Sequence, residues 1–144
     1  MFTPKRIKTL AGITIIAMGV PVLLGAGCPA AQTTLLSSTN SASSPPPLIN
    51  NSCVFPSAGF QTGFTAGSGR LVTATVTGPT SDSRPQIIIQ DSNSNEVANS
   101  GAIPTDNGAQ TSFTPSSSQT FTLTVIECSA GISGSYTVLV TQNL

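Results

Sequence analysis

The chain has 144 residues, with five Lys and Arg, five Asp and Glu, and no His. Charged residues make up 7% of it, against roughly 25% in an ordinary globular domain, while Ser and Thr supply 20 positions each. Without His the chain lacks the commonest general base and the commonest zinc ligand, and five basic residues cannot build the clustered positive face that nucleic acid requires.

Three of the basic residues, Lys5, Arg6 and Lys8, sit together at the start, and an uncharged apolar run follows from Leu10 to Ala26. A basic start, an apolar stretch and a small-residue end make an export signal. Ala26-Gly27-Cys28 closes the run and resembles the lipobox of bacterial lipoproteins, although Gly25 stands where that family usually has Leu. The resemblance implies that residues 1–27 are removed, that Cys28 is diacylated as the new first residue, and that a membrane is a partner through this lipid anchor. An uncleaved membrane helix, or a signal cut after Ala30 or Ala31, is the alternative. Pro21 and the glycines within the run weigh against a permanent span. Removal of 1–27 leaves 117 residues, with Arg70 and Arg84 against Asp82, Asp91, Glu96, Asp106 and Glu127, a net charge of −3.

An odd cysteine count in an exported chain needs an explanation, and lipidation of Cys28 supplies it. Cys53 and Cys128 are then left to form a disulfide, which persists outside the cytoplasm. Two buried free thiols are the alternative.

Residues 28–52 are rich in Ser, include Pro45-Pro46-Pro47, and carry no charge and no aromatic ring. They read as a disordered tether, with an end-to-end distance of roughly 25–30 Å if flexible. From Cys53 onward the texture changes to period two. Gly59–Thr65 is a short candidate strand, and Val72, Ala74 and Val76 then alternate with Thr73, Thr75 and Thr77. Ile87-Ile88-Ile89 is an unbroken apolar run, as in a strand covered on both faces or central in a sheet. Glu96–Asn99 and Gln110–Thr114 are further short candidates. Phe121, Leu123 and Val125 alternate with Thr, as do Tyr136, Val138 and Val140 with their polar neighbours, although Leu139 interrupts the polar side. Gly78-Pro79, Asp91–Asn95, Asp106-Asn107-Gly108 and Pro115–Ser118 supply the turns. Some seven strands and no helical spacing predict an all-β fold, a small two-sheet β-sandwich over residues 53–144.

Several of these segments resemble the bacterial pre-peptidase C-terminal domain. They are Phe64-Thr65-Ala66-Gly67 followed by Arg70–Thr77, Ile87–Asp91 with Asn93 and Asn95, Phe113-Thr114-Pro115 with Gln119–Val125, and Gly134-Ser135-Tyr136-Thr137-Val138. The resemblance covers about residues 58–142. It implies a jelly-roll-like, non-catalytic sandwich of the kind usually appended to secreted enzymes, some of which bind matrix polymers or calcium. Acidic residues are missing before the first strand, where the calcium-binding relatives place ligands, so no metal is expected.

Candidate sites are few. Asp91, Asn93, Asn95 and Glu96 could offer oxygens to a hard cation, but the spacing lacks a Gly at the sixth position and a Glu at the twelfth, so a self-bonded hairpin turn is the expectation. No His activates the many hydroxyls, and the carboxylates read as solvated loop groups, with Glu127 beside Cys128 at a strand end. Phe55, Phe60, Phe64, Phe113, Phe121 and Tyr136 read as core. The expectation is therefore a cell-envelope lipoprotein with no catalytic residue, cofactor or metal, displaying a module that binds an extracellular polymer or envelope protein, or serves as a structural part. An accessory substrate-binding module for a separate secreted enzyme is the alternative.

Overall fold

In a computed structural model, the described residues are 30–42, 53, 58–101 and 107–144. Eight strands are present among them: β1 (Gln32–Ser41), β2 (Ala58–Ala66), β3 (Val72–Thr77), β4 (Pro85–Gln90), β5 (Glu96–Asn99), β6 (Gly108–Phe113), β7 (Gln119–Glu127) and β8 (Ser135–Asn143). They form two four-stranded antiparallel sheets, ordered β1-β8-β3-β6 and β2-β7-β4-β5. The chain passes between the sheets at nearly every step, and β1 closes against β8, which is a jelly-roll winding.

The period-two segments form strands because their apolar members share one buried side. Val72, Ala74, Val76, Tyr136, Val138 and Val140 face inward from the first sheet, and Phe64, Ile87, Ile89, Phe121, Leu123 and Val125 from the second. Thr73, Thr75, Thr77, Thr137 and Thr141 line the wet side of the first sheet, where β-branched hydroxyl residues both favour the strand and hydrate well. Leu139 lies on that wet side, 42% exposed. Ile88 and Ile126 point away from the core and are nevertheless buried. The isoleucine strand is thus covered on both sides, and it sits between β7 and β5. Phe64 and Phe121 are buried core residues and Phe60 and Phe113 pack partly buried against them, while Phe55 lies outside the described residues.

The tether expected over 28–52 is corrected by β1. Residues 32–41 pair with β8 along its whole length, so the sandwich starts at Gln32 and not at Cys53. A bulge between Thr34 and Leu36 breaks the alternation, and it lets the adjacent Leu35 and Leu36 both pack partly buried against the core. The rest of β1 is Ser, Thr, Asn and Gln, and backbone hydrogen bonds rather than apolar side chains hold it in place.

The sandwich has two distinct ends. At the first lie the start of β1 and the end of β8, the β2–β3 connection 67–71, the β4–β5 turn and the β6–β7 connection. At the second lie the β3–β4 connection 78–84, Asn107 and the β7–β8 connection 128–134. A nine-residue strand such as β8 separates the ends by roughly 27 Å.

Candidate functional site

The second end carries the densest polar structure. Phe121, Leu123 and Val125 face inward along β7, and the same alternation turns Glu127 inward as well. Its side chain is fully buried, which corrects the expectation of a solvated loop carboxylate. The carboxylate is bonded on both oxygens. Oε1 accepts the Arg84 backbone N–H and the Ser129 backbone N–H, each at 2.8 Å, and Oε2 accepts the Tyr136 hydroxyl at 2.7 Å. A buried carboxylate is tolerated when its lone pairs are occupied in this way. Burial first, and then the hydrogen bond and charge of Glu127, push the Tyr136 hydroxyl above the ordinary tyrosine range.

Glu127 thereby joins three elements. It fixes the start of β4 through Arg84, its own turn through Ser129, and β8 through Tyr136. Beside it Cys128 N–H donates to the Arg84 carbonyl at 3.1 Å, and Ser129 Oγ donates to the Asp82 carbonyl at 2.8 Å. Cys128 also forms the disulfide with Cys53, their Cα atoms 5.5 Å apart, which joins the chain between β1 and β2 to the end of β7. The neighbouring 78–84 connection is laced in the same manner. Gly78 N–H donates to the Asn107 carbonyl at 2.9 Å, Asn107 N–H to the Ser83 carbonyl at 2.6 Å, and Thr80 N–H to Ser83 Oγ at 3.2 Å. Asn107 holds φ at 63°, in the left-handed region that Asn tolerates.

On this frame lies a depression of about 520 Å³ lined by Asp82, Arg84, Cys128, Ser129, Ala130 and Ile132. It offers one cation, one carboxylate, one hydroxyl and two aliphatic groups on fixed backbone. That set suits recognition of a polar ligand by hydrogen bonds. Sequence reasoning did not single out this cluster, though the inward register of Phe121, Leu123 and Val125, extended by one step, would have placed Glu127 inside.

The remaining sites fall as follows. Asp91 bonds its own turn: Oδ1 accepts Asn93 N–H at 2.8 Å and Asn95 N–H at 2.9 Å, and Oδ2 accepts Asn95 Nδ2 at 3.1 Å. Led by the Asn95 side chain, these bonds hold the carboxyl below its usual range. Asp91 and Asn95 thus spend their oxygens and amide within the turn, as expected for a hairpin that bonds itself. Among the described residues no three His, Cys, Asp or Glu side chains converge on a common point. Cys28 and Asp106 lie outside the described residues.

Fold and site together define a disulfide-closed, eight-stranded jelly-roll module with a polar, rigid loop end. No family model matches the chain, and no curated protein matches it. Among solved structures it is similar to the enzymatically active domain of tailspike protein 4 of bacteriophage CBA120, at 16% identity and a TM-score of 0.34. That similarity covers 81% of this chain and 19% of the other, so the chain spans about a fifth of that protein's length.

Proposed function

We propose that the protein is a non-catalytic cell-envelope lipoprotein, anchored through diacylated Cys28, whose jelly roll presents a binding or structural module outside the cytoplasm. The observation that carries the reading is the Cys53–Cys128 disulfide. It uses two of the three cysteines, implies an oxidising compartment, and leaves Cys28, the residue at the end of the export signal, for the lipid. The jelly-roll winding agrees with the architecture that the pre-peptidase C-terminal resemblance implies. The carboxylates of the second end support a binding role: Glu127 is consumed in holding loops together, and no His stands near to activate Ser129. The module presents the depression around Arg84 and Ser129 to a neutral polymer or an envelope protein.

The test is the intact mass of the protein extracted from the membranes of an expressing bacterium. The expected mass corresponds to a chain beginning at Cys28, with acyl chains added and the two hydrogens of one cystine missing. A chain retaining residues 1–27, or one without acyl chains, overturns the reading. In a Cys28→Ser variant the protein should no longer carry the acyl mass.

A further inference from the structure

We infer that the first end of the sandwich is a membrane-docking surface, and that the jelly roll sits directly on the lipid bilayer rather than standing off on a tether. The inference rests on acylation of Cys28 as proposed above. Ala31 follows Cys28 by three residues, and a chain reaches at most about 3.3–3.6 Å per residue, so the lipid-bearing Cα lies within about 11 Å of Ala31. Ala31 is already part of the fold, since its carbonyl accepts the Leu144 N–H at 2.8 Å and β1 begins at the next residue. An anchor that short brings this end to the headgroups.

The end that the anchor brings down has the chemistry to stay there. Leu71 is 43% exposed and Leu144 is 69% exposed, two of the four large apolar side chains that the described residues present to water. They belong to one patch, because Asn143 N–H donates to the Leu71 carbonyl at 3.0 Å and Leu144 is the next residue. Arg70, one of the two cations in the described residues, stands in the same patch, with Nη1 donating to the Asn143 carbonyl at 3.5 Å. Two leucines beside an arginine suit the bilayer interface, where the leucines enter the acyl boundary and the guanidinium meets phosphate.

The exposure of Leu71 is built into the fold. The Gln142 side chain brackets Gly67, donating to its carbonyl at 2.7 Å and accepting its N–H at 3.2 Å. Gly69 N–H donates to the Pro115 carbonyl at 2.8 Å, and Ser68 N–H donates to Ser118 Oγ at 3.1 Å. The 67–71 connection is thus pinned at both sides, with its last residue turned outward. Two carboxylates at this end, Asp91 in the turn after β4 and Glu96 at the start of β5, lie across from β6. β1 instead packs across from β2, at the other lateral edge. The sandwich therefore leans on its β1–β8 edge, and the acidic turn tips away from anionic lipid.

The chain has no Trp, so single-tryptophan variants report depth cleanly. Leu71→Trp, Leu144→Trp and the second-end control Ser133→Trp are purified in acylated form and reconstituted into phosphatidylethanolamine/phosphatidylglycerol vesicles with or without brominated acyl chains. Intact mass is recorded on each sample. The Leu71→Trp and Leu144→Trp proteins should show blue-shifted emission and lose most of it to brominated lipid, while Ser133→Trp keeps its emission. If acylated Leu71→Trp and Leu144→Trp are quenched no more than Ser133→Trp, the docking surface is refuted and the lipoprotein reading stands. Blue-shifted emission without quenching also refutes it, because the tryptophans are then buried against a second copy of this chain, the one protein in the vesicles, and not in lipid. A sample without acyl chains refutes the lipoprotein reading, and the docking inference with it.

Discussion

Glu127 and Tyr136 together organise the second end of the molecule. The hydroxyl of Tyr136 donates to Oε2 of the buried Glu127, so Tyr136→Phe leaves a buried carboxylate oxygen without that donor. The loss should be about 1–3 kcal/mol, measured by urea unfolding. Tyr136 also sets an alkaline limit. Its folded-state ionisation is raised above the unfolded value of about 10. Below pH 10 both states hold the proton and the stabilisation is complete. Above it the unfolded state releases the proton first, so stability falls as pH rises. The chain has a single Tyr and no Trp, so tyrosinate absorbance is unambiguous. It should remain absent above pH 10 in folded protein and appear on unfolding; absorbance rising with an ordinary tyrosine midpoint in folded protein would show that the hydroxyl is not buried against Glu127. A second residue-level test concerns Gly78. A Cβ there would overlap the Cβ and Oγ of Ser83, which is itself fully buried and bonded. Gly78→Ala should therefore destabilise by roughly 1–3 kcal/mol through displacement of the 78–84 connection. Gly69→Ala makes the comparison, since it meets no atom but must adopt a left-handed backbone.

Among the elements, β1 is held chiefly by its backbone ladder to β8. Leu35 and Leu36 are its only aliphatic residues, and both are half-buried. Replacing both by Ala should cost about 2–4 kcal/mol, less than two fully buried leucines would. The effect should be local: hydrogen exchange of β8 amides should quicken more than that of β7, because β8 would become an open edge. Equal slowing or quickening of β7 and β8 would mean that β1 is not an independent flap. Seven strands were legible in the sequence: three through alternating inward apolar residues, from Val72-Ala74-Val76 to Tyr136-Val138-Val140, one through the unbroken Ile87-Ile88-Ile89 run, and three as short segments between turn residues, Gly59–Thr65, Glu96–Asn99 and Gln110–Thr114. The eighth was not, for two physical reasons. Its bulge places two leucines side by side where alternation demands one, and its remaining residues earn their place through the backbone ladder to β8, which leaves no trace in hydropathy. The disulfide was legible from cysteine arithmetic. The polar frame of the second end was not, since it depends on Glu127 following an inward register past the last apolar residue, and on backbone donors from Arg84 and Ser129 that composition does not reveal.

At the scale of the whole molecule, the disulfide compensates for an unusual connectivity. β1 belongs to one sheet and β2 to the other, and sixteen residues separate Ser41 from Ala58, the longest connection between successive strands. A connection of that length gives the unfolded chain much freedom. Cys53 interrupts it and ties it to the end of β7, closing a loop of 75 residues. In the chain-entropy account a bridge of that span stabilises by about 4 kcal/mol. The bond also lies next to Glu127, so it tethers the same end that the carboxylate organises. A Cys53→Ser/Cys128→Ser double variant should lose about that amount in urea unfolding, with the midpoint shifting and the slope changing as the unfolded ensemble expands. Because the tie acts chiefly on the unfolded state, the Tyr136–Glu127 hydrogen bond should survive in the folded variant, read by the continued absence of tyrosinate above pH 10. Early tyrosinate in the double variant would instead mean that the disulfide is needed to hold the second end in shape, and that bridge and carboxylate act as one unit.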